Sequence, residues 1–185
     1  MNILIVGDSH AKSRLPNGED SDIIARGLEV PDVYRLARSG STARQWLDPS
    51  NGWLAMAEAL AAECDAVFLS IGGNDLFRDY ADGHLSREEA ERIMGEVKAV
   101  ADRFGGKRLF LLVYGDPYNG RDNMTLAGVI CITVAFRILA ATLPNVTLVL
   151  EQKLLDATDW CGSDIHPNAS GYVKIADFIR KEMTQ

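Results

Sequence analysis

The chain is poor in the residues that most often build disulfide frameworks and metal sites. Its 185 residues include only three cysteines and three histidines, and no two cysteines form a CxxC pair. Disulfide-rich secreted domains and zinc modules both need several such residues at short spacing. The N-terminal apolar run is also too short for a signal peptide and follows no basic residues. We therefore expect a cytoplasmic protein with reduced thiols and no bound metal.

Long apolar runs and excess positive charge are missing as well. The longest apolar stretch, residues 124–136, is too short to span a membrane. It predicts a helix that covers the core or pairs with a second copy of the chain, so a homo-oligomer stays open. Acidic residues outnumber basic ones, 26 to 19, for a net charge of −7. This balance is unfavourable for nucleic acid or an anionic membrane, and we expect neither as a partner.

Short β-rich runs alternate with helical patterns along the chain. The five runs are residues 2–6, 32–37, 66–71, 108–114 and 146–151. The last three are apolar on both faces, as expected for parallel strands covered on both sides by helices. This alternation predicts an α/β fold, a three-layer α/β/α flavodoxin-like sandwich with a five-stranded parallel sheet of order 2-1-3-4-5. Since no linker or repeat is visible, we expect residues 1–185 to form a single domain.

Two of the predicted helices carry clear start signals. Ser86 and Glu89 have the spacing of a capping box ahead of an apolar periodicity that ends near Gly105. Asn168 is the predicted start of the last helix. The inner face of that helix is predicted to consist of Tyr172, Ile175, Ala176 and Ile179.

Small polar residues follow each predicted strand. The five segments are GDSHA (7–11), RSGSTA (38–43), GGND (72–75), GDPYNG (115–120) and DWCGSDIHP (159–167). In doubly wound sheets the carboxyl ends of the strands share one edge, and ligands bind there. The distribution therefore predicts a functional site at this edge.

Ser9 is the candidate nucleophile of that site. A serine at a strand end often only caps the next segment, and it becomes a nucleophile when a base can take its proton. His84 lies in a charged loop, and His10 adjoins Ser9, so that the two side chains point apart on an extended turn. His166, in the loop after the last strand, is therefore the candidate base.

Candidate donors for an oxyanion are also present. Gly40 allows its backbone N–H to come close to a ligand, and Asn74 offers two side-chain N–H groups. The backbone N–H of Ser9 is the third candidate donor. Glycine and asparagine are also ordinary turn residues, so each has an alternative explanation by itself.

Taken in order, these residues resemble the SGNH hydrolases, also called the GDSL-like esterase/lipase family. The matching blocks are Gly7-Asp8-Ser9, Gly40 in SGST, Gly72-Gly73-Asn74-Asp75, and His166-Pro167. The resemblance covers almost the whole chain. It implies a carboxylic ester hydrolase without a metal or other cofactor, in which Ser9 attacks the acyl carbon and His166 acts first as base and then as acid.

The resemblance also implies roles for residues around the nucleophile. Ser9 N–H, Gly40 N–H and Asn74 would form the oxyanion hole, and an acyl-enzyme intermediate would form on Ser9. Asp8 and Asp75, together with Gly72, would support the loops that carry these groups.

One position departs from the family pattern. The last block usually has an aspartate three residues before the histidine, where this chain has Ser163. The nearest carboxylate, Asp164, lies two residues before His166, and we predict that it orients the imidazole ring. A backbone carbonyl or Asp159 are the alternatives.

The substrate expected from the resemblance is a small-molecule or carbohydrate ester with a short acyl chain, acetate first, since no lid insertion is visible. An acyltransferase using the same site and a non-catalytic SGNH-like binding module are the alternatives. A phosphorelay receiver would use Asp8, Asp75 and Lys153. It also needs paired acids after the first strand, which this chain lacks, and it leaves His166 without a role.

Overall fold

The computed structural model describes residues 1–76, 86–115, 126–160 and 165–185. Its five strands form one parallel sheet of order β2-β1-β3-β4-β5, which confirms the predicted fold class and strand order. The strands are β1 (Ile3–Gly7), β2 (Val33–Ala37), β3 (Ala66–Ser70), β4 (Arg108–Val113) and β5 (Val146–Leu150).

Burial differs between the centre and the edges of the sheet. All five residues of β1 and of β3 are buried, so both faces of these strands are covered. In β5 only Val149 is fully buried, although its apolar sequence predicted cover on both faces. The reason is its position, because β5 and β2 are the edge strands and each has a neighbour on one side only.

Seven α-helices and two 3₁₀ helices, Pro49–Asn51 and Ala157–Asp159, accompany the strands in the described residues. The α-helices are α1 (Ile23–Gly27), α2 (Ala43–Leu47), α3 (Trp53–Ala61), α4 (Arg87–Asp102), α5 (Leu126–Ala140), α6 (Glu151–Leu154) and α7 (Ala169–Met183), with a further helical turn at residues 73–76. Helix α1 packs against α7, whereas α2 packs against α4.

Both predicted helix starts are confirmed. Ser86 caps α4 in a capping box with Glu89, whose side chain accepts from the Ser86 backbone. Asn168 caps α7 by accepting from two backbone N–H groups of the first turn. The predicted inner face of α7 is completely buried: Tyr172, Ile175, Ala176 and Ile179.

Helix α5 contains residues 126–136 of the long apolar stretch, and near its C-terminal end it carries apolar side chains on more than one face. Phe136 is fully buried, whereas Val134 and Ile138 are 48% and 65% exposed. No helix in the described ranges is both long enough and apolar enough to cross a membrane.

Candidate active site

The turn after β1 brings the chain unusually close to β3. Gly7 has φ of +140°, and a Cβ atom there would lie 1.9 Å from the Ser70 carbonyl oxygen. The next amide, that of Asp8, donates to the same carbonyl at 2.9 Å. Only glycine fits this backbone conformation and this approach, which accounts for the first residue of the GDS block.

The buried Asp8 carboxylate connects this turn to the neighbouring strands through hydrogen bonds. It is 1% exposed. Its Oδ1 accepts from the His10 amide at 3.0 Å and from the Ser70 hydroxyl at 2.7 Å. Its Oδ2 accepts from the Tyr114 hydroxyl at 2.6 Å and from the Asn74 amide at 3.4 Å. Burial raises the pKa of Asp8, and the hydrogen bonds from Tyr114, Ser70 and His10 act in the opposite direction.

Ser9 and His166 meet at the carboxyl edge of the sheet. The Ser9 hydroxyl lies 2.8 Å from His166 Nε2, although 157 residues separate the two in sequence. Ser9 is 7% exposed and His166 is half-buried. This is the contact that a serine nucleophile and its general base require.

Two hydrogen bonds hold the segment that carries His166 near Ser9. The Tyr172 hydroxyl of α7 donates to the carbonyl of Arg14, in the loop that follows Ser9, at 2.9 Å. The second contact joins the two ends of the segment that carries His166, where the Asn168 amide donates to the Asp159 carbonyl at 2.8 Å. The segment that carries His166 is therefore held at both the N-terminal loop and the start of α7.

Asn74 lies between the first two blocks. Its amide donates to the Ser41 carbonyl at 3.0 Å, in addition to the longer contact with Asp8. Gly40, directly before Ser41, has φ of +74°, and a side chain there would meet nothing within 4 Å. Gly40 is thus required for backbone conformation and not for space, and Asn74 is next to neighbours of both Ser9 and Gly40.

Asp75 and Gly72 support the loop that carries Asn74. The Asp75 carboxylate accepts from the Ala43 amide at 2.9 Å, which ties this loop to the first turn of α2. Gly72 has φ of +94°, and a Cβ atom there would lie 2.7 Å from Val97 Cγ2 of α4. Both residues therefore position the loop that carries Asn74, against α2 and α4 respectively.

The carboxylates expected near His166 divide between two regions. Asp164 lies outside the described residues, as does His84. Asp159 is described and buried, and its carboxylate accepts from the Lys174 ammonium, the Ser170 hydroxyl and the Asp156 amide. These contacts tie the Asp159 carboxylate to α7 and to the helical turn that contains it.

Four buried residues near the site were given no role in it by the sequence analysis. Ser70 and Tyr114 end or follow central strands and contact Asp8, while His10 and Glu151 are 2% and 0% exposed. Part of the signal was present for three of them, because Ser70, Tyr114 and Glu151 end or directly follow an apolar strand, whereas His10 lies beyond the end of β1. Among the described residues, no group of three His, Cys, Asp or Glu side chains could hold a metal ion.

A comparison with known protein families identifies the family of the chain. The model of the GDSL-like lipase/acylhydrolase family matches residues 5–174. The chain belongs to that family. The match includes Ser9, Gly40, Asn74 and His166 within one continuous segment, and the protein is accordingly a carboxylic ester hydrolase.

Solved structures with the same fold are similar over nearly their whole length. An acetylxylan esterase from Geobacillus stearothermophilus is 16% identical, with a TM-score of 0.72, and the match covers 100% of this chain and 94% of that one. A GDSL-like lipase from Parabacteroides merdae is 17% identical, with a TM-score of 0.72 and coverage of 100% and 95%. An enzyme from the metagenome of Lake Arreo is 20% identical, with a TM-score of 0.67 and coverage of 100% and 96%. At these identities the likeness establishes the fold. No curated protein matches the chain.

Proposed function

We propose that the protein hydrolyses short-chain acyl esters, acetyl esters first, through an acyl-enzyme intermediate on Ser9. The observation that carries the proposal is the 2.8 Å contact between Ser9 Oγ and His166 Nε2. The neighbouring loops carry Gly40 and Asn74, the candidate oxyanion donors that an ester hydrolase needs.

In the first half of the reaction, His166 Nε2 accepts the hydroxyl proton as Ser9 Oγ attacks the carbonyl carbon of the ester. A tetrahedral intermediate forms with a negative charge on the former carbonyl oxygen. The imidazolium then gives its proton to the leaving alcohol as the carbon–oxygen bond breaks. The acyl group stays on Ser9.

The oxyanion of that intermediate is stabilised by three N–H donors, from the Ser9 backbone, the Gly40 backbone and the Asn74 side chain. The contacts of the Asn74 amide support this role: one N–H donates to Ser41 and fixes the amide beside the Gly40 loop, and the other, with the longer 3.4 Å contact to Asp8, turns to the oxyanion. Loss of one such donor typically costs about 3 kcal/mol of transition-state stabilisation. We expect Asn74→Ala to lower kcat by about 10²-fold.

In the second half, water replaces the alcohol. His166 Nε2 takes a proton from the water as it attacks the acyl carbon, and the same oxyanion donors hold the second tetrahedral intermediate. The imidazolium returns the proton to Ser9 Oγ as the acid leaves, and the enzyme is restored.

For Nε2 to accept, the ring proton of His166 must be on Nδ1, and we propose Asp164 as the group that receives it. The three donors that the Asp159 carboxylate already binds support this choice over Asp159. Replacing such an aspartate by asparagine lowers kcat by about 10⁴-fold in a serine protease. Asp164→Asn with a loss of only a few-fold would leave a backbone carbonyl as the orienting group.

The acyl preference is supported by the likeness to an acetylxylan esterase, which indicates a related fold, and by the absence of a lid-like insertion in the sequence. A series of p-nitrophenyl esters from acetate to long acyl chains tests this preference directly. We expect kcat/KM to be highest for acetate and to fall as the chain lengthens.

The test of the proposal is hydrolysis of p-nitrophenyl acetate by the wild type, Ser9→Ala and His166→Ala. Both variants are expected to lose kcat by at least about 10³-fold. Equal rates for wild type and Ser9→Ala would leave a non-catalytic binding module as the explanation. An ester product that appears on addition of sugar or alcohol acceptors would indicate acyl transfer at the same site.

A further inference from the structure

Two buried titratable side chains next to the Ser9–His166 pair take no part in the chemistry described above. His10 is 2% exposed and follows Ser9 directly, and Glu151 is fully buried at the start of α6. Ionisable side chains are rarely buried so completely without a specific role or partner. Their surroundings indicate what they do.

Each of the two side chains has one polar atom satisfied and one that is not. Glu151 Oε2 accepts from the Gly115 amide at 2.7 Å. Glu151 Oε1 and His10 Nε2 are the two buried side-chain polar atoms without a hydrogen-bond partner in the described part of the chain, and they lie 3.6 Å from each other. A small side-chain shift would bring them within hydrogen-bond distance, and leaving both unpaired would cost about 1–3 kcal/mol each.

The other side of the His10 ring faces the segment of the base. His10 forms a hydrogen bond with the backbone of Ile165 that raises its pKa, so the ring donates and a carbonyl accepts. Since Nε2 is the nitrogen without a described partner, the donor is Nδ1. Ile165 directly precedes His166, and the centroids of the two imidazole rings are 5.0 Å apart with their planes tilted by 32°.

A single arrangement of protons satisfies all of these contacts. With Nδ1 protonated, His10 Nε2 carries a lone pair, so the group opposite must donate. An ionised Glu151 has nothing to donate, whereas a carboxylic acid donates from Oε1 and still accepts the Gly115 amide at Oε2. An ion pair in place of two neutral groups would place two charges away from water, one of them a cation 5.0 Å from the base.

We propose that Glu151, as a neutral carboxylic acid, and His10 are positioning residues for His166: Glu151 donates to His10 Nε2, and His10 donates from Nδ1 to the Ile165 carbonyl and packs against the His166 ring. The chain of contacts runs from β4 through α6 and the β1 turn to the base. This inference rests on the proposed function, in which His166 is the base.

The protonation states follow from burial. Burial raises the pKa of Glu151 to about 8, with a further rise from the nearby Asp8. Burial also lowers the pKa of His10 to about 3, as does the neighbouring His166. At neutral pH both groups are therefore uncharged.

Three further polar or aromatic groups surround His10. Asp8 Oδ1 lies 3.9 Å from His10 Nδ1, and the ring centroids of Tyr114 and Tyr172 lie 5.1 and 6.3 Å from that of His10. Burial holds the pKa of Tyr114 well above its usual range, and it raises the pKa of Asp8. Among the groups that face His10, the pKa of Glu151 is raised to about 8.

The test compares Glu151→Gln with Glu151→Leu, using p-nitrophenyl acetate. Glutamine accepts from Gly115 and donates to His10 at every pH, so we expect kcat within about 3-fold of the wild type. Leucine keeps the volume and removes both the donor to His10 and the acceptor of the Gly115 amide, so we expect a fall in kcat of roughly 10- to 100-fold with the protein still folded. His10→Phe, which keeps a ring but cannot donate to Ile165, is expected to behave like Glu151→Leu.

The pH profile separates positioning from structural support. The wild type is expected to lose kcat/KM as pH rises through about 8, when Glu151 ionises and stops donating. Glu151→Gln is expected to lack this fall, and the exposed Glu63→Gln control is expected to keep it. A merely structural Glu151 would not change the profile.

The protonation of His10 is read by NMR of ¹⁵N-labelled histidine, which is practical because the chain has three histidines. We expect a neutral ring with the proton on Nδ1 at neutral pH, with His10→Phe assigning the signals. A protonated His10 ring at neutral pH would overturn the proposal.

The kinetic outcomes are equally decisive. The proposal is overturned if Glu151→Gln loses as much activity as Glu151→Leu, since the carboxylate would then be needed. It is also overturned if Glu151→Leu and His10→Phe keep the wild-type kcat. Hydrolysis that persists in Ser9→Ala would count against the proposed function itself, so the two failures are distinguishable.

Discussion

Two buried carboxyl groups lie at the carboxyl edge of the sheet, and their surroundings differ. Asp8, after β1, accepts from two hydroxyls and two N–H groups. Glu151, after β5, accepts from one amide and has one oxygen without a described donor. The comparison teaches that the number of donors, and not burial alone, decides what a buried carboxyl group does. Asp8 serves as an acceptor that anchors the nucleophile turn, whereas Glu151 has an oxygen left to carry a proton.

The largest effect is expected when the well-satisfied carboxylate is removed. Asp8→Ala removes the carboxylate that accepts from the Ser70 and Tyr114 hydroxyls and from the His10 amide. We expect the free energy of unfolding in urea to fall by about 3–5 kcal/mol, and kcat/KM by about 10²-fold because the Ser9 turn loses its anchor. The matched control is Asp177→Ala, an exposed aspartate paired with Arg180, which should change stability by less than about 0.5 kcal/mol. Equal effects at the two positions would contradict the anchoring role.

The glycines beside the two carboxyl groups sharpen the same contrast. A Cβ atom at Gly7 would overlap the Ser70 carbonyl in a left-handed backbone conformation, whereas one at Gly115 would lie 3.0 Å from Glu151 Cβ. We expect Gly7→Ala to lower the free energy of unfolding by about 3 kcal/mol or more, and Gly115→Ala by about 1 kcal/mol. Thermal unfolding of the two variants measures the difference. A Gly7→Ala protein as stable as the wild type would show that the turn is not confined by β3.

An intermediate effect is expected from pH. Native Glu151 keeps its proton up to about pH 8, while the unfolded chain releases it near 4.5. Its contribution to stability is therefore fully present below 4.5 and is lost as pH rises through 8. Glu151→Gln has no such loss. Relative to the wild type, its free energy of unfolding should therefore rise by on the order of a few kcal/mol between about pH 5 and about pH 9, and its Tm should rise with it. A constant difference in Tm over this range would mean that Glu151 is ionised in the native protein.

The smallest effect on catalysis is expected at Asp159. Its carboxylate is held by Lys174 and Ser170, so Asp159→Asn should leave kcat within about 3-fold and reduce stability by about 1 kcal/mol. Steady-state hydrolysis and urea unfolding measure the two quantities. A loss of kcat by orders of magnitude would show that Asp159 acts on His166 in the working enzyme.

Much of the fold was predictable because its signals are local. Each predicted strand overlaps an observed one with ends that differ by one residue at most, and the caps at Ser86 and Asn168 follow from residues three or fewer positions apart. The strand order followed from the alternation of strands and helices. Ser9, Gly40, Asn74 and His166 were proposed as site residues because each follows a predicted strand in a family-like block.

The contacts behind the nucleophile could not be predicted in the same way. Tyr114 meets Asp8 across 106 residues, and neither the burial of His10 nor the single donor of Glu151 leaves a local pattern in the sequence. The close approach of Gly7 to Ser70 is likewise a property of the paired strands. The orienting group of His166 stays a prediction, since Asp164 lies outside the described residues.

The central claim is that Ser9 is a nucleophile activated by His166. Its most direct test is to incubate the protein with an organophosphonate ester and map the modified residue by mass spectrometry of the peptides, beside Ser9→Ala and His166→Ala. We predict one adduct on Ser9 in the wild type, none in Ser9→Ala, and labelling slowed by at least about 10²-fold in His166→Ala. An unlabelled Ser9 in the wild type, or labelling at an equal rate in His166→Ala, would contradict the account.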